Sequence, residues 1–382
     1  MEVANNGWRP KVVTALVIVL HLYIFISGVK LLGIGSNAMQ HHPFAVRVLR
    51  STQNPFVGLF AGIFITSIIQ SSATASSIVV GLVAVNALEL SNAIPIVMGA
   101  NIGTTVTNVL VSMGYVMRRE EFRRALGGAI VHDVFNLFVV IILLPLELAF
   151  GFLEKTALWL TAILPPISPD AALGEVAGFD PLGPVIRPMI WVVETLVGKP
   201  TEPGLSAVLT AVIGLCFIFF ALLRQVKTLR RVMAGRAETF INKVLGKSGW
   251  LCILIGLLLT VMVQSSSITT SIMVPMAAAG IVSVSQIFPI TIGANIGTTF
   301  TALIASLAVG GWGVTIALVH CLFNVSGMLL FYPIPAVRAL PVRVAERAGV
   351  LAARSRRLAV VGVFLIFFGI PGGLILLYRL LS

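Results

Sequence analysis

A chain of 382 residues that is 58% hydrophobic and only 10% charged has too little polar surface to stay wetted, which excludes a soluble globular domain. Its formal net charge of +12 does not mark a nucleic-acid binder, because the basic residues gather beside the ends of apolar stretches, where the positive-inside bias places them. Cys216, Cys252 and Cys321 lie in apolar segments at no metal-ligand spacing, so neither a disulfide framework nor a transition-metal site is implied.

In chain order, the first apolar stretch runs from roughly 11 to 36 behind Arg9 and Lys11. It is longer than a signal-peptide core and lacks a convincing cleavage site, so it reads as a retained transmembrane helix that, with an amphipathic connector, fills 1–55. Residues 56–150 carry apolar stretches at roughly 56–88, 92–117 and 125–150, interrupted by the basic run RREEFRR at 118–124. The segment 151–203 is acidic, with Glu154, Asp170, Glu175, Asp180, Glu194 and Glu202, and its LPPISPD core reads as irregular, so it is expected as an extracytoplasmic loop. Next, 204–247 reads as a connecting helix and a basic cytoplasmic loop from 224. Residues 248–337 repeat the apolar pattern at roughly 249–282, 287–309 and 313–335, and 338–382 reads as a second basic loop followed by a C-terminal helix. The total is about nine apolar stretches.

Residues 66–107 return 194 positions later without a gap: TSIIQSSATASSIVV at Thr66 reappears as TVMVQSSSITTSIMV at Thr260, and GANIGTT at Gly99 reappears at Gly293. Duplication inside an apolar chain points to a transporter whose halves face one site. Parity then constrains the topology. If the start, 118–124, 224–247 and 338–357 are all cytoplasmic, then of the three stretches between the start and 118, and of the three between 247 and 338, one must enter and leave on the same face. The stretches 56–88 and 249–282, each with Gln-Ser-Ser near its middle, are the candidates for re-entrant hairpins. The expected fold is therefore an all-α polytopic membrane protein of two inverted-topology repeats, each with a re-entrant helical hairpin, and 204–223 as the odd crossing.

Gln70, Ser71 and Ser72, and Gln264, Ser265, Ser266 and Ser267, place amides and hydroxyls where a hairpin reverses in apolar surroundings. A helix restarting there presents backbone N–H groups and the positive end of its dipole, which suits a tetrahedral oxyanion. Close helix packing is the structural alternative for either copy alone. Asn101, Thr104 and Thr105, and Asn295, Thr298, Thr299 and Thr301, supply neutral oxygens beside paired glycines, a donor set suited to a weakly bound hard cation such as sodium; a small-residue packing face is again the alternative. His132-Asp133-Val134-Phe135-Asn136 recurs as His320-Cys321-Leu322-Phe323-Asn324, and only the first copy keeps an acid. Asp133 and Asn136 are thus candidate cation ligands, Asp133 because an ionisable group inside an apolar stretch is costly unless it works. An intramembrane hydrolase built on Ser71 or Ser265 is disfavoured, since no nucleophile-elbow pattern surrounds either serine.

With QSSAT, QSSSI, two copies of GANIGTT, EFRRALGGAIVHDVFN and HCLFNVSGMLLFYPIP in view, the chain resembles the type II sodium-phosphate cotransporter family from about residue 56 to 370. The resemblance implies symport of inorganic phosphate with sodium, with phosphate bound near the Gln-Ser-Ser hairpins. It also implies that Thr298 and Thr301 are sodium ligands, and that Asp133 and Asn136 stand at the additional sodium site of electrogenic members. Ala73, Tyr115, Arg118 and Ala294 depart from that pattern, which leaves the sodium stoichiometry open. The expected partners are phosphate, sodium and the lipid bilayer, with no nucleic acid, no cofactor beyond sodium as coupling ion, and a bacterial inner membrane as the location. A passive or proton-coupled pathway for phosphate or another tetrahedral oxyanion is the alternative.

Overall fold

The computed structural model describes residues 8–39, 54–163, 183–201, 204–244 and 248–381. It is helical throughout the described residues, with seven helices long and apolar enough to cross a membrane. The long first helix α1 (Trp8–Met39) is followed by α2 (Pro55–Ile69) and α3 (Ser72–Ala84), then by α4 (Leu90–Gly103) and α5 (Val106–Met113), which form one broken span. After α6 (Arg119–Phe150), α7 (Phe152–Ile163), α8 (Gly183–Val197) and α9 (Leu205–Val244), the pattern returns as α10 (Gly249–Val263), α11 (Ser266–Ser271), α12 (Met273–Ala278), α13 (Val284–Val309) and α14 (Trp312–Phe331). The chain closes with α15 (Pro335–Arg354), α16 (Arg356–Phe364), a π-turn at Leu365–Gly369 and α17 (Ile370–Leu381).

Both stretches singled out by parity break at their glutamine. Gln70 (φ 58, ψ 29) and Gln264 (φ 53, ψ 34) are left-handed, a conformation that among the described non-glycine residues only Asn86 shares. The next residue, Ser71 or Ser265, is extended and starts a new helix, so two residues reverse the chain. Neither arm reaches the length of a span, and both stretches fall outside the seven helices long and apolar enough to cross a membrane.

Each hairpin is held by a crossing of small residues. In the first repeat a Cβ on Gly99 or Gly103 would overlap the carbonyls of Leu59 or Ile63, and one on Gly62 would overlap that of Ile96. In the second, Gly293 and Gly297 meet Ile253 and Leu257 in the same way, and Gly256 meets Ile290. Backbones at this distance leave no room for a side chain, which lets two apolar helices gain dispersion contacts where lipid offers no hydrophobic driving force. The glycines of GANIGTT therefore pack, and only the first copy also interrupts its helix, at Thr104 and Thr105. Helices α1 and α9 form a third such crossing, through Gly28 and Gly35 against Gly214 and Ala207.

Three expectations change. The basic segment from 224 is not a loop: α9 continues to Val244, and 338–354 lies in the helix α15, because both runs are rich in alanine, leucine and arginine, whose helix propensity outweighs the single Gly235 and Gly349 within them. The acidic segment 151–203 carries α7 and α8 at its ends. In α8, Ile186 and Val193, two turns apart, are buried, which gives the helix its apolar stripe. The LPPISPD core and the connector at 40–53 lie outside the described residues.

The crossings give a direct test. Gly293→Val forces α10 and α13 apart at a backbone contact and is expected to abolish recovery of folded protein, whereas Gly373→Ala, with nothing within 4 Å of its added Cβ, is expected to leave it unchanged. Monodisperse yield and thermal unfolding in detergent measure both.

Candidate functional site

The two breaks meet at one cavity. A space of about 490 Å³ is lined by Gln70, Ser71, Thr74 and Thr107 from the first repeat and by Ser265, Ser267 and Ser271 from the second. Ser71 Oγ accepts from the backbone N–H of Thr74 (3.2 Å) and from its hydroxyl (3.0 Å), and Ser265 Oγ caps the N–H of Ile268 (3.4 Å). An N-cap hydroxyl that accepts still holds its own proton, so both serines remain donors beside a helix N-terminus. Thr107 adds a buried hydroxyl without a partner.

Not all of the predicted anion ligands reach this space. Ser72 and Ser266 are the first residues of their helices and are buried. Gln264 turns its carbonyl towards Gln225 of α9, which donates to it over 3.3 Å. Gln70 is exposed at the cavity, so the duplicated amides have diverged in what they touch.

The candidate cation residues form a hydrogen-bonded lattice between the repeats. His132 of the first repeat pairs with Asn295 of the second, and His320 of the second pairs with Asn101 of the first at 3.2 Å. Each histidine thus reaches the asparagine of the opposite GANIGTT. Asn295 donates to Asn136 (2.7 Å), Asn136 donates to the carbonyl of Asn101 (2.8 Å), and Asn324 donates to Asn101 Oδ1 (3.3 Å). Thr105 joins at His132 Nδ1 (3.1 Å). By contrast, Thr104, Thr298 and Thr299 return their hydroxyl protons to carbonyls of their own helices, at 3.0, 2.9 and 2.7 Å, which leaves their oxygens as acceptors only.

Asp133 lies beside Thr105, and its Oδ1 is buried with no hydrogen-bond partner. Thr301 likewise has a buried hydroxyl with no partner. An unpaired carboxylate oxygen inside the membrane costs several kcal/mol unless a cation or proton meets it. Asp133 is therefore the one predicted cation ligand whose own electrostatics call for a positive partner.

Sequence reasoning passed over Asn108. Its amide donates to Thr270 (2.8 Å) and its carbonyl accepts from Ser271 (2.9 Å), latching the first repeat onto the second hairpin at the cavity wall. The available signal was position: Asn108 follows Thr104 by four residues, yet its copy is Ala302, so the duplication does not mark it.

This arrangement agrees with what the sequence matches. Residues 24–156 and 217–371 match the Na+/Pi-cotransporter family. The chain belongs to that family. Among curated relatives, sodium-dependent phosphate transport protein 2A of Ovis aries is 33% identical over 384 residues, covering 83% of this chain and 60% of the relative. Sodium-dependent phosphate transport protein 2B of Homo sapiens is 33% identical over 401 residues, covering 83% of this chain and 58% of the relative. The chain thus spans about 60% of the length of these cotransporters. No solved structure matches it. Both matched segments of this family member contain a complete hairpin, glycine crossing and histidine-asparagine motif.

The lattice should behave as one unit. In a double-mutant cycle of His132→Phe and Asn295→Leu, scored by unfolding in detergent, the coupling is expected at about 1 to 2 kcal/mol; additive losses would show that the two residues act separately.

Proposed function

We propose that the chain is a carrier that imports inorganic phosphate with sodium across a bacterial inner membrane, its two repeats inverted and alternating around the cavity between the hairpin tips. The observation that carries the reading is that cavity, where duplicated Gln-Ser-Ser breaks from both repeats converge. Its hydroxyls and helix N-termini are neutral donors. They hold a tetrahedral oxyanion without an arginine clamp, so the anion can leave again on the other side. Family membership supports a carrier rather than an enzyme, and the names of the relatives support sodium and phosphate as the cargo.

Sodium enters as the partner of Asp133. The ligand set proposed for it combines that carboxylate with oxygens of the lattice around Asn101, Asn136 and Asn295 and with the threonines Thr104, Thr105, Thr298, Thr299 and Thr301, all neutral and oxygen-bearing. With Asp133 neutralised, the lattice that joins the repeats is set in the arrangement that tolerates an anion at mid-membrane. Cation and anion then cross together. Because Cys321 stands where the other repeat would have its acid, the charge-coupling step belongs to the first repeat.

The test is isotopic phosphate uptake into proteoliposomes under imposed gradients of sodium, lithium, potassium or protons, with current recorded. Ser265→Ala and Thr107→Val are each expected to raise the half-saturating phosphate concentration by roughly tenfold or more, the loss of one hydrogen bond to a charged ligand. Asp133→Gly is expected to abolish the sodium-dependent current and to reduce sodium-driven accumulation of phosphate. Uptake that ignores the sodium gradient, or that never accumulates phosphate against its own gradient, would favour a passive or proton-coupled pathway instead.

A further inference from the structure

A second cavity, of about 460 Å³, lies away from the hairpin tips, between the start of α6, the face of α15 and the turn that leads into α13. Four arginines line it, Arg123 and Arg124 from α6 and Arg343 and Arg347 from α15, against the single acid Glu346. They converge because α6 and α15 touch through glycine: a Cβ on Gly349 would lie 2.5 Å from the carbonyl of Arg123. Two of the four guanidinium groups are already engaged. Arg123 pairs with Glu120 at 2.9 Å, and Arg124 donates to the carbonyl of Ala278 (3.1 Å) at the end of the second hairpin, its guanidinium lying over Gly280. Among the described residues no ion pair engages Arg343 or Arg347, which stand one helical turn apart on the same face of α15.

We propose that this cavity is a binding site for a phosphate-bearing anion, held by Arg343 and Arg347 and contacting Arg124. Guanidinium groups present planar, paired donors that match phosphate oxygens, and the exposed Arg343 and Arg347 offer theirs free of any ion pair among the described residues. The basic segments at 118–124 and 338–357 place the cavity on the cytoplasmic side by the positive-inside rule, where both anionic lipid headgroups and free phosphate are present. Through Arg124 and Ala278 the occupant reaches the segment that begins at Ser265, so its binding is felt by the second hairpin. None of these residues lines the cavity between the hairpin tips. A failure here therefore leaves the transport reading standing, and the converse also holds.

The experiment is a thermal-shift titration of the purified full chain in detergent with short-chain phosphatidylglycerol, short-chain phosphatidylcholine or inorganic phosphate. It compares the wild type, Ser265→Ala and the double variant Arg343→Gln/Arg347→Gln. An anionic probe is expected to stabilise the wild type and Ser265→Ala alike, phosphatidylcholine to do neither, and the double variant to need roughly thirtyfold more of that probe. A shift by phosphatidylglycerol alone identifies a lipid headgroup, and one by inorganic phosphate that survives Ser265→Ala identifies the free ion. Should the double variant not fold, Glu346→Gln, which removes the only acid of the lining, is expected to tighten binding several-fold. Equal midpoints in the wild type and the double variant, no shift with either anionic probe, or weaker binding by Glu346→Gln would overturn the proposal.

Discussion

A helix that stops inside an apolar layer must find partners for the backbone groups it leaves open, and this chain does so twice with the same two residues. A left-handed glutamine ends one arm and an extended serine caps the next, at Gln70-Ser71 and again at Gln264-Ser265. Left-handed geometry costs about 1 to 2 kcal/mol for a residue with a Cβ. The first arm of each hairpin is fixed by a glycine crossing, α2 on α4 and α10 on α13, which holds the residue before the left-handed glutamine in place. Clamped tips then face each other across one cavity, with serine and threonine hydroxyls of both repeats in its wall, so the anion proposed to bind there would need little further ordering of the protein.

Around that constraint the repeats are equal in scaffold and unequal in chemistry. The exchange of His132 with Asn295 and His320 with Asn101 is reciprocal, each histidine reaching the asparagine of the other copy. Elsewhere the copies part. Asn108 bonds both Thr270 and Ser271, whereas Ala302 stands in its place in the other repeat, and the corresponding hydroxyls of Ser76 and Ser77 are buried without partners. Buried unsatisfied hydroxyls cost free energy and are cheaper to move than satisfied ones. The first hairpin is thus the less firmly tied of the two at this point, while the half that carries it keeps Asp133 and the broken helix at Thr104 and Thr105.

Much of this was legible because duplication and charge are independent signals. The gapless echo from Thr66 to Thr260 located both hairpins, and parity required breaks where Gln70 and Gln264 supply them. Charge was a poorer guide to local form. Basic runs after 224 and 338 read as loops, but arginine and lysine are good helix formers, so α9 continues beyond its apolar part and α15 forms as a helix of its own. At the site, sequence found the residue types but not their assignments. Whether Gln264 meets a ligand or Gln225 depends on how α9 packs, and whether GANIGTT binds or packs depends on which face each residue presents: the glycines turn to the hairpin arm and the asparagines to the opposite repeat.

The cavity between the hairpin tips is proposed as the phosphate site, made ready by sodium. This role is tested most directly by protection of a single cysteine, Ser267→Cys, in a chain with Cys216, Cys252 and Cys321 replaced. The rate of its modification by a water-soluble thiol reagent is measured with and without phosphate, in sodium and in potassium. Phosphate is expected to slow modification in sodium and to have no effect in potassium. A rate indifferent to phosphate in sodium, with transport retained, would contradict it.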